Sequence, residues 1–380
     1  MDGLTEVTLW DGRRAWVATR IDYVRRLLAD RRFSAVWDHP GMPTISEGTS
    51  APTPTRSSLL RMDDPEHARL RRMIARDFTA RRAREMRPRI EEVCGGLLDA
   101  MARREPPVDL VAAYAQALPS LIACEILGVP TEDSDFFQSR VRGMMTPNAS
   151  REDTLAAGRD LMGYLGELVG RKRGVPGEDT YSRLANTYLA NGELTESECV
   201  TMAVLLLVGS YDTTASMITM GYLALAAHPD QLALVRDSED PAFVGNAVEN
   251  LLRYMTVIEN NLNRVALDDV EIDGHLIRAG EGVVFNIPAA NRDPRAFPAA
   301  GVLDVSRVEP QEHLSFGAGP HVCLGRHLAR VELQVALPML LRRFPTLRPV
   351  EKISDVRLRE NPIIVSAVEL PVTWQEATAS

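Results

Sequence analysis

The sequence predicts a mainly α fold with a minor β region, and three observations carry that expectation. Apolar residues recur at helical spacing along most of the chain. One stretch, residues 202–227 (MAVLLLVGSYDTTASMITMGYLALAA), is apolar on all sides, as the central helix of a large packed body is. Alternating, strand-like patterns are confined to 6–18 and 265–286. At 380 residues, with no low-complexity linker and no internal repeat, residues 1–380 read as a single large domain.

Taken in order, strand 6–18 is followed by helical patterns at 20–30, 65–78, 81–103, 109–127, 132–145 and 152–171. Pro, Ser and Thr crowd residues 40–58, so 36–60 is expected to be a mobile loop. Asp63-Asp64-Pro65 reads as a helix start. The pattern at 196–227 opens on Thr195-x-x-Glu198, a capping box, and carries Asp212 in its middle without a flanking basic cluster. Those features predict a buried helix rather than a membrane span. Helices at 229–236 and 241–254 precede the second strand region, which Gly274 and Gly280 punctuate. A helix at 324–343 and a strand near 374 complete the chain, and the polar 375–380 is expected to be disordered.

The formal net charge is −9, and Lys172 and Lys352 are the only lysines. That balance argues against a nucleic-acid partner. Cys94, Cys124, Cys199 and Cys323 have no paired spacing, and no signal peptide is read ahead of them. A reducing, cytoplasmic setting is expected.

Residues 313–330 read HLSFGAGPHVCLGRHLAR. Gly319 and Pro320 forbid regular structure before Cys323, and the residues after it have helical spacing. The cysteine therefore falls where a loop turns into a helix, with first-turn amides aimed at its sulfur, a position that lowers a thiol pKa. Gly317, Gly319 and Gly325 would let backbone pass close beside something flat and bulky. Zinc would need further ligands, and none is spaced nearby. Within the long helix, Ser210, Asp212, Thr213 and Thr214 are poor choices for a buried interior. Their hydroxyls either bond back to the preceding turn or do chemistry. Glu249 and Arg253 set opposite charges four apart on one helix face.

The run Phe316-Gly317-x-Gly319-x-His321-x-Cys323-x-Gly325 resembles the haem-thiolate signature of the cytochrome P-450 superfamily, most closely its soluble actinobacterial members. The resemblance extends from about residue 15 to the last strand and implies that superfamily's helical body with a minor β region. It implies haem b as the cofactor, Cys323 as its axial ligand, and a thiolate that favours O–O cleavage. Asp212-Thr213 aligns with the superfamily's proton-delivering acid–alcohol pair, and Ser210 stands where most relatives have Gly. Glu249, Arg253 and Arg307 fit, in order, the ion-pair network behind the haem. His67, Arg71, Arg264 and His321 match the positions that hold the propionates. Tyr211, Glu259, Asn260 and Asn261 fall in substrate-specificity regions, together with the access loop at 36–60.

The function implied is a monooxygenase that hydroxylates or epoxidises a small organic substrate with O2, as a tailoring step in bacterial secondary metabolism such as antibiotic biosynthesis. No reductase module is read in the chain, so electrons are expected from a ferredoxin and a ferredoxin reductase. Arg69, Arg72, Arg76, Arg326 and Arg330 are the expected docking charges on an acidic monomer. The alternatives within the fold are an NADH-driven nitric oxide reductase, a peroxide-driven enzyme, and a non-catalytic haem protein that recruits a partner. The Asp212-Thr213 pair counts against the first two. The third is opposed by the kept cysteine, the kept acid–alcohol pair and the Glu249–Arg253 pair read as kept, with Ser210 the one feature in its favour.

Overall fold

The computed structural model describes residues 3–45, 58–145, 151–260, 262–308, 313–359 and 363–375. Residues 46–57, Asn261 and the terminal 376–380, each part of an expectation above, lie outside the described residues.

The N-terminal strand region is a hairpin rather than one strand. Strand β1 (Leu4–Thr8) pairs antiparallel with β2 (Arg14–Ala18), Leu4 opposite Ala18. Asp11-Gly12 makes the turn, with Gly12 at φ +82° and Leu9 N–H bonded to the Arg13 carbonyl at 2.8 Å. Helix α1 (Ile21–Ala29) and the short strand β3 (Phe33–Ser34) follow.

The helical body comes next: α2 (Glu66–Ala75), α3 (Ala80–Ala102), a short strand β4 (Val108–Asp109), α4 (Ala117–Leu127), α5 (Ser134–Met145) and α6 (Arg151–Lys172). Helix α7 (Thr180–Arg183), continued by a π-helical turn to Leu189, was not legible as a period in the sequence. The expected central helix is α8 (Glu196–Ala226), 31 residues long. Its capping box is complete: the Thr195 hydroxyl accepts from Glu198 N–H, and the Glu198 carboxylate accepts from Thr195 N–H. It is long and apolar enough to cross a membrane, but it is packed inside the protein against α4, α6 and its successors. Burial of its apolar circumference is what holds it.

Helices α9 (Pro229–Asp237) and α10 (Pro241–Met255) lead to β5 (Arg264–Ala266), the hairpin β6 (Val270–Ile272) with β7 (His275–Ile277), and β8 (Gly282–Phe285). The hairpin turns on Asp273-Gly274, both at positive φ. The larger sheet runs β1-β2-β8-β5-β3, with β2 and β8 parallel. After α11 (Ile287–Ala290) and the cysteine loop, α12 (Arg326–Arg343) packs on α3, α8 and α10. Strands β9 (Arg348–Pro349) and β10 (Pro371–Thr373) then close on β4. Such two- and three-residue strands leave no readable alternation, and only the last was expected.

One apolar core surrounds α8; a second lies between the larger sheet and α1. Cys94, Cys124 and Cys199 are buried and unpaired, and burial pushes each thiol up to about 12. They are inert packing residues.

Candidate haem site

Cys323 sits where the sequence put it, three residues before α12 begins. The loop is closed by backbone bonds: Gly317 N–H to Leu314 O at 2.8 Å, Val322 N–H to Gly319 O at 3.1 Å, and Cys323 N–H to Phe316 O at 2.8 Å. Gly317 and Gly319 both lie at φ +69°, where a side chain would strain the turn. At Gly319 a Cβ would also meet the Leu28 carbonyl at 2.3 Å, so the neighbour that demands glycine there is the end of α1, not a flat ligand.

Cys323 is the exposed one among the four cysteines, although protein atoms crowd around its sulfur. The expected lowering of its pKa is outweighed. Burial raises it, against the Gly325 N–H and the charges of Arg71, Arg326 and Arg330. The preorganised donors are present, but the thiolate needs a metal cation to be the stable form.

Above this loop, basic groups from four segments converge. His67 (α2) and His321 stack with ring centroids 4.1 Å apart. Arg71, one turn after His67, donates to the Val322 carbonyl at 2.7 Å. Arg264 (β5) is 3 % exposed and donates to Asn263 O at 2.8 Å. Arg61, missed in the sequence, lies over the Trp37 ring at 4.3 Å. Burial, reinforced by Arg264, His67, Arg71 and Arg61, drives His321 down to about 2. Burial first, then Arg61, brings Arg264 down to about 10. Of the nearby acids, Asp63 accepts from the Ser34 hydroxyl and the Ala35 N–H, and Asp64 lies 3.4 Å from His67 Nδ1, so one acid answers the cluster only at its edge. His67 Nε2 and His321 Nδ1 are buried without a hydrogen-bond partner among the described residues. Orphaned ring nitrogens and surplus positive charge beside a cysteine fit a planar metal-bearing dianion, and haem, with two propionates, is such a group.

The network behind the loop differs from expectation. Glu249 is not joined to Arg253 and Arg307; its carboxylate takes Arg330 Nε at 2.6 Å, Arg330 Nη2 at 2.8 Å and His313 Nε2 at 3.1 Å. His313 Nδ1 accepts from Ser315 N–H, which leaves the proton on Nε2 for Glu249. Burial would raise Glu249, but these bonds and charges bring it down to about 2. Arg253 is fully buried, and so is Asn250, three residues before it. Asn250 Nδ2 donates to the Asn246 and Arg307 carbonyls, both at 3.1 Å. Arg253 Nη1 donates to Asn291 O at 3.2 Å and Ala300 O at 3.0 Å. One helix position is a turn of about 100°, which sends Glu249 toward α12 and Asn250 into the interior. Thus an amide stands three residues before the buried arginine, and the acid answers α12 instead.

Arg330 also lies over the Phe316 ring at 4.4 Å, so it clamps the cysteine loop rather than offering a docking charge. Arg69 is likewise engaged, by Glu66 and Glu198. Arg72 and Arg76 are exposed, Arg76 at 3.8 Å from Asp77.

On α8, both readings of the polar run hold together. Thr213 Oγ1 donates back to Gly209 O at 2.7 Å, and Ser210 Oγ to Leu206 O at 2.7 Å. Thr214 instead meets Glu332 of α12, an acid that burial raises to about 8 against the Thr214 hydroxyl. Asp212, 2 % exposed, accepts from Arg359 Nη2 at 2.7 Å. Tyr211 is 2 % exposed and belongs to the main core. Glu259 N–H bonds Ile363 O at 2.9 Å, which places 259–260 beside the C-terminal hairpin.

The cytochrome P450 family profile matches residues 144–367. Cytochrome P450-SU2 of Streptomyces griseolus is 44 % identical over 98 % of this chain and 90 % of its own length. Pentalenic acid synthase of Streptomyces avermitilis is 41 % identical over 98 % of this chain and 91 % of its own. Among solved structures, that of GfsF superposes with a TM-score of 0.94 at 42 % identity, covering 98 % of this chain and 93 % of that one. The mycinamicin VIII C21 methyl hydroxylase MycCI of Micromonospora griseorubida gives 0.88 at 36 % identity, covering 98 % and 94 %. With the cysteine loop, the basic cluster and the helical body all agreeing, the chain belongs to the cytochrome P450 family.

Proposed function

We propose that this haem-dependent, oxygen-incorporating oxidoreductase hydroxylates or epoxidises a small natural product, in a tailoring step of bacterial secondary metabolism. The similarity to pentalenic acid synthase and to the mycinamicin VIII C21 methyl hydroxylase supports that substrate class. When bound, haem supplies the redox centre at which O2 is activated, and a thiolate ligand favours O–O cleavage. In this reading Cys323 holds the metal, and His67, Arg71, Arg264 and His321 hold the propionates.

Asp212 and Thr213 move protons. The hydroxyl hydrogen of Thr213 rests on Gly209 O, which leaves the oxygen's lone pairs facing out as acceptors. Rotating off Gly209 turns it into a donor. Asp212 is the ionisable member that resupplies it. Both residues lie in the middle of α8, away from its frayed ends, so the helix keeps them in place. That adjacent acid and alcohol, in the middle of a mainly apolar helix, is the observation that carries the reading.

Electrons come from an external redox partner, in our reading a ferredoxin with its reductase. Exposed Arg72 and Arg76 on the cysteine side support an acidic partner. All the proposed haem contacts come from one chain, so a monomer suffices, and unpaired cysteines suit the reducing cytoplasm.

The test is electron partition in Thr213→Ala, with a substrate found by a spectral binding screen. Product per electron should fall and hydrogen peroxide rise, while substrate still binds. Ser210→Gly is the companion, because its hydroxyl lies on the neighbouring turn. Unchanged partition in the single and double variants would remove the proton-delivery role.

A further inference from the structure

We infer that Arg359 is a positioning residue for the relay acid, tying to Asp212 a segment that the family resemblance implies for substrate specificity. The inference rests on the proton-delivery reading above. Arg359 lies on a C-terminal hairpin: its N–H bonds Ser366 O at 2.8 Å, Val368 N–H bonds Arg357 O at 2.9 Å, and Leu358 bridges Ala367. The far strand of the hairpin is stitched to the segment after α10. Val365 N–H bonds Val257 O at 2.9 Å, Glu259 N–H bonds Ile363 O at 2.9 Å, and Ile258 bridges Ile364. That segment, 257–260, is one the sequence assigns to substrate specificity.

From this hairpin Arg359 reaches into the protein. Its side chain is 8 % exposed and meets the 3 % exposed carboxylate of Asp212. Nη2 donates to Asp212 Oδ1 at 2.7 Å and to Ser216 Oγ, one turn further along α8, at 3.2 Å. The pair is only half made. Arg359 Nε and Asp212 Oδ2 are both buried and without a hydrogen-bond partner among the described residues. A purely structural Arg–Asp contact at this depth gains most from a two-pronged fork. Here one carboxylate oxygen is fixed by the guanidinium, and the other is left for a proton donor or acceptor. Arg359 thereby keeps the Asp212 carboxylate aimed, and a substrate that shifts the hairpin shifts the relay acid with it.

The experiment is a double-mutant cycle on the haem-loaded protein, with Arg359→Gln, Asp212→Asn and the double variant, and Arg359→Lys as the conservative control. Two quantities are read: thermal unfolding, and electron partition between product and peroxide with its solvent deuterium isotope effect. Arg359→Gln should lower the unfolding temperature, and adding Asp212→Asn should restore part of the loss, because the buried charge no longer lacks a partner. Arg359→Gln should also cut product formation by about tenfold and raise the isotope effect, as Asp212→Asn does, with Arg359→Lys between it and the parent. Absence of stability coupling overturns the contact itself. If Asp212→Asn and Thr213→Ala divert electrons but Arg359→Gln does not, the positioning role falls and the relay stands. If none of them diverts electrons, the relay reading falls and takes the positioning role with it.

Discussion

The two sides of the cysteine–helix cleft are built on opposite principles. On the cysteine side the loop backbone and the Glu249 carboxylate are each held by several restraints. Three backbone bonds close the loop, Arg330 both grips Glu249 and covers Phe316, and His313 completes the carboxylate. On the α8 side the polar groups are held once and loosely. Two hydroxyls bond back to their own helix, and Asp212 keeps one oxygen without a partner among the described residues. The difference teaches that a metal ligand needs a fixed position, whereas groups that pass protons need an alternative partner to turn to.

This contrast predicts where substitutions act. The largest effect belongs to the buried cation. Arg264→Ala should weaken haem retention by about 2–5 kcal/mol, because a buried propionate loses its charged partner. Transfer of haem to an acceptor apoprotein measures it, and retention equal to the parent would break the proximal half of the comparison. Glu249→Ala comes next. Glu249 and Arg330 are each about a quarter exposed while His313 is buried, so the loss lies between the surface and buried regimes, about 1–3 kcal/mol in chemical unfolding. Arg330→Ala should match it, and the double variant should lose less than the sum.

Glu332 bridges the two sides and sharpens the contrast through pH. Its folded pKa is raised from 4.5 to about 8 by burial. A raised acid binds its proton more tightly in the folded state, so its contribution is full below about pH 4.5 and is lost as pH climbs to about 8. The decline should run at up to about 1.4 kcal/mol per pH unit, and Glu332→Gln should flatten it. An identical pH profile in the variant would mean that the acid ionises freely. The smallest effect is Ser210→Gly, which loses only a back-bond to Leu206 and gains helix-interior glycine. About 0.5 kcal/mol of stability should go, with haem content unchanged.

What could be read from the sequence follows from how local each signal is. Cys323, His321 and the glycines around them define their own loop, and His67 with Arg71 define a helix face, so these positions were legible. The capping box announced α8 for the same reason. Partners distant along the chain left no trace. Arg330 finds Glu249 across 81 positions, and Arg359 finds Asp212 across 147, each only because helices α10 and α12, or the C-terminal hairpin and α8, happen to pack. Register within a helix was the subtler failure. Glu249 and Asn250 are neighbours in sequence, but about 100° of rotation separates an acid facing α12 from an amide turned into the interior toward the Arg307 carbonyl. The expected thiol shift failed for another reason: helix-end donors are visible in a sequence, while burial, which outweighs them at Cys323, is not.

The most direct test of the rigid, ligand-holding half of the account is the spectrum of the reduced, carbon monoxide-bound protein. The parent should show the long-wavelength band that marks thiolate ligation, and Cys323→Ala should lose it entirely, whereas Thr213→Ala should keep it. A band that survives the removal of Cys323 would contradict the account.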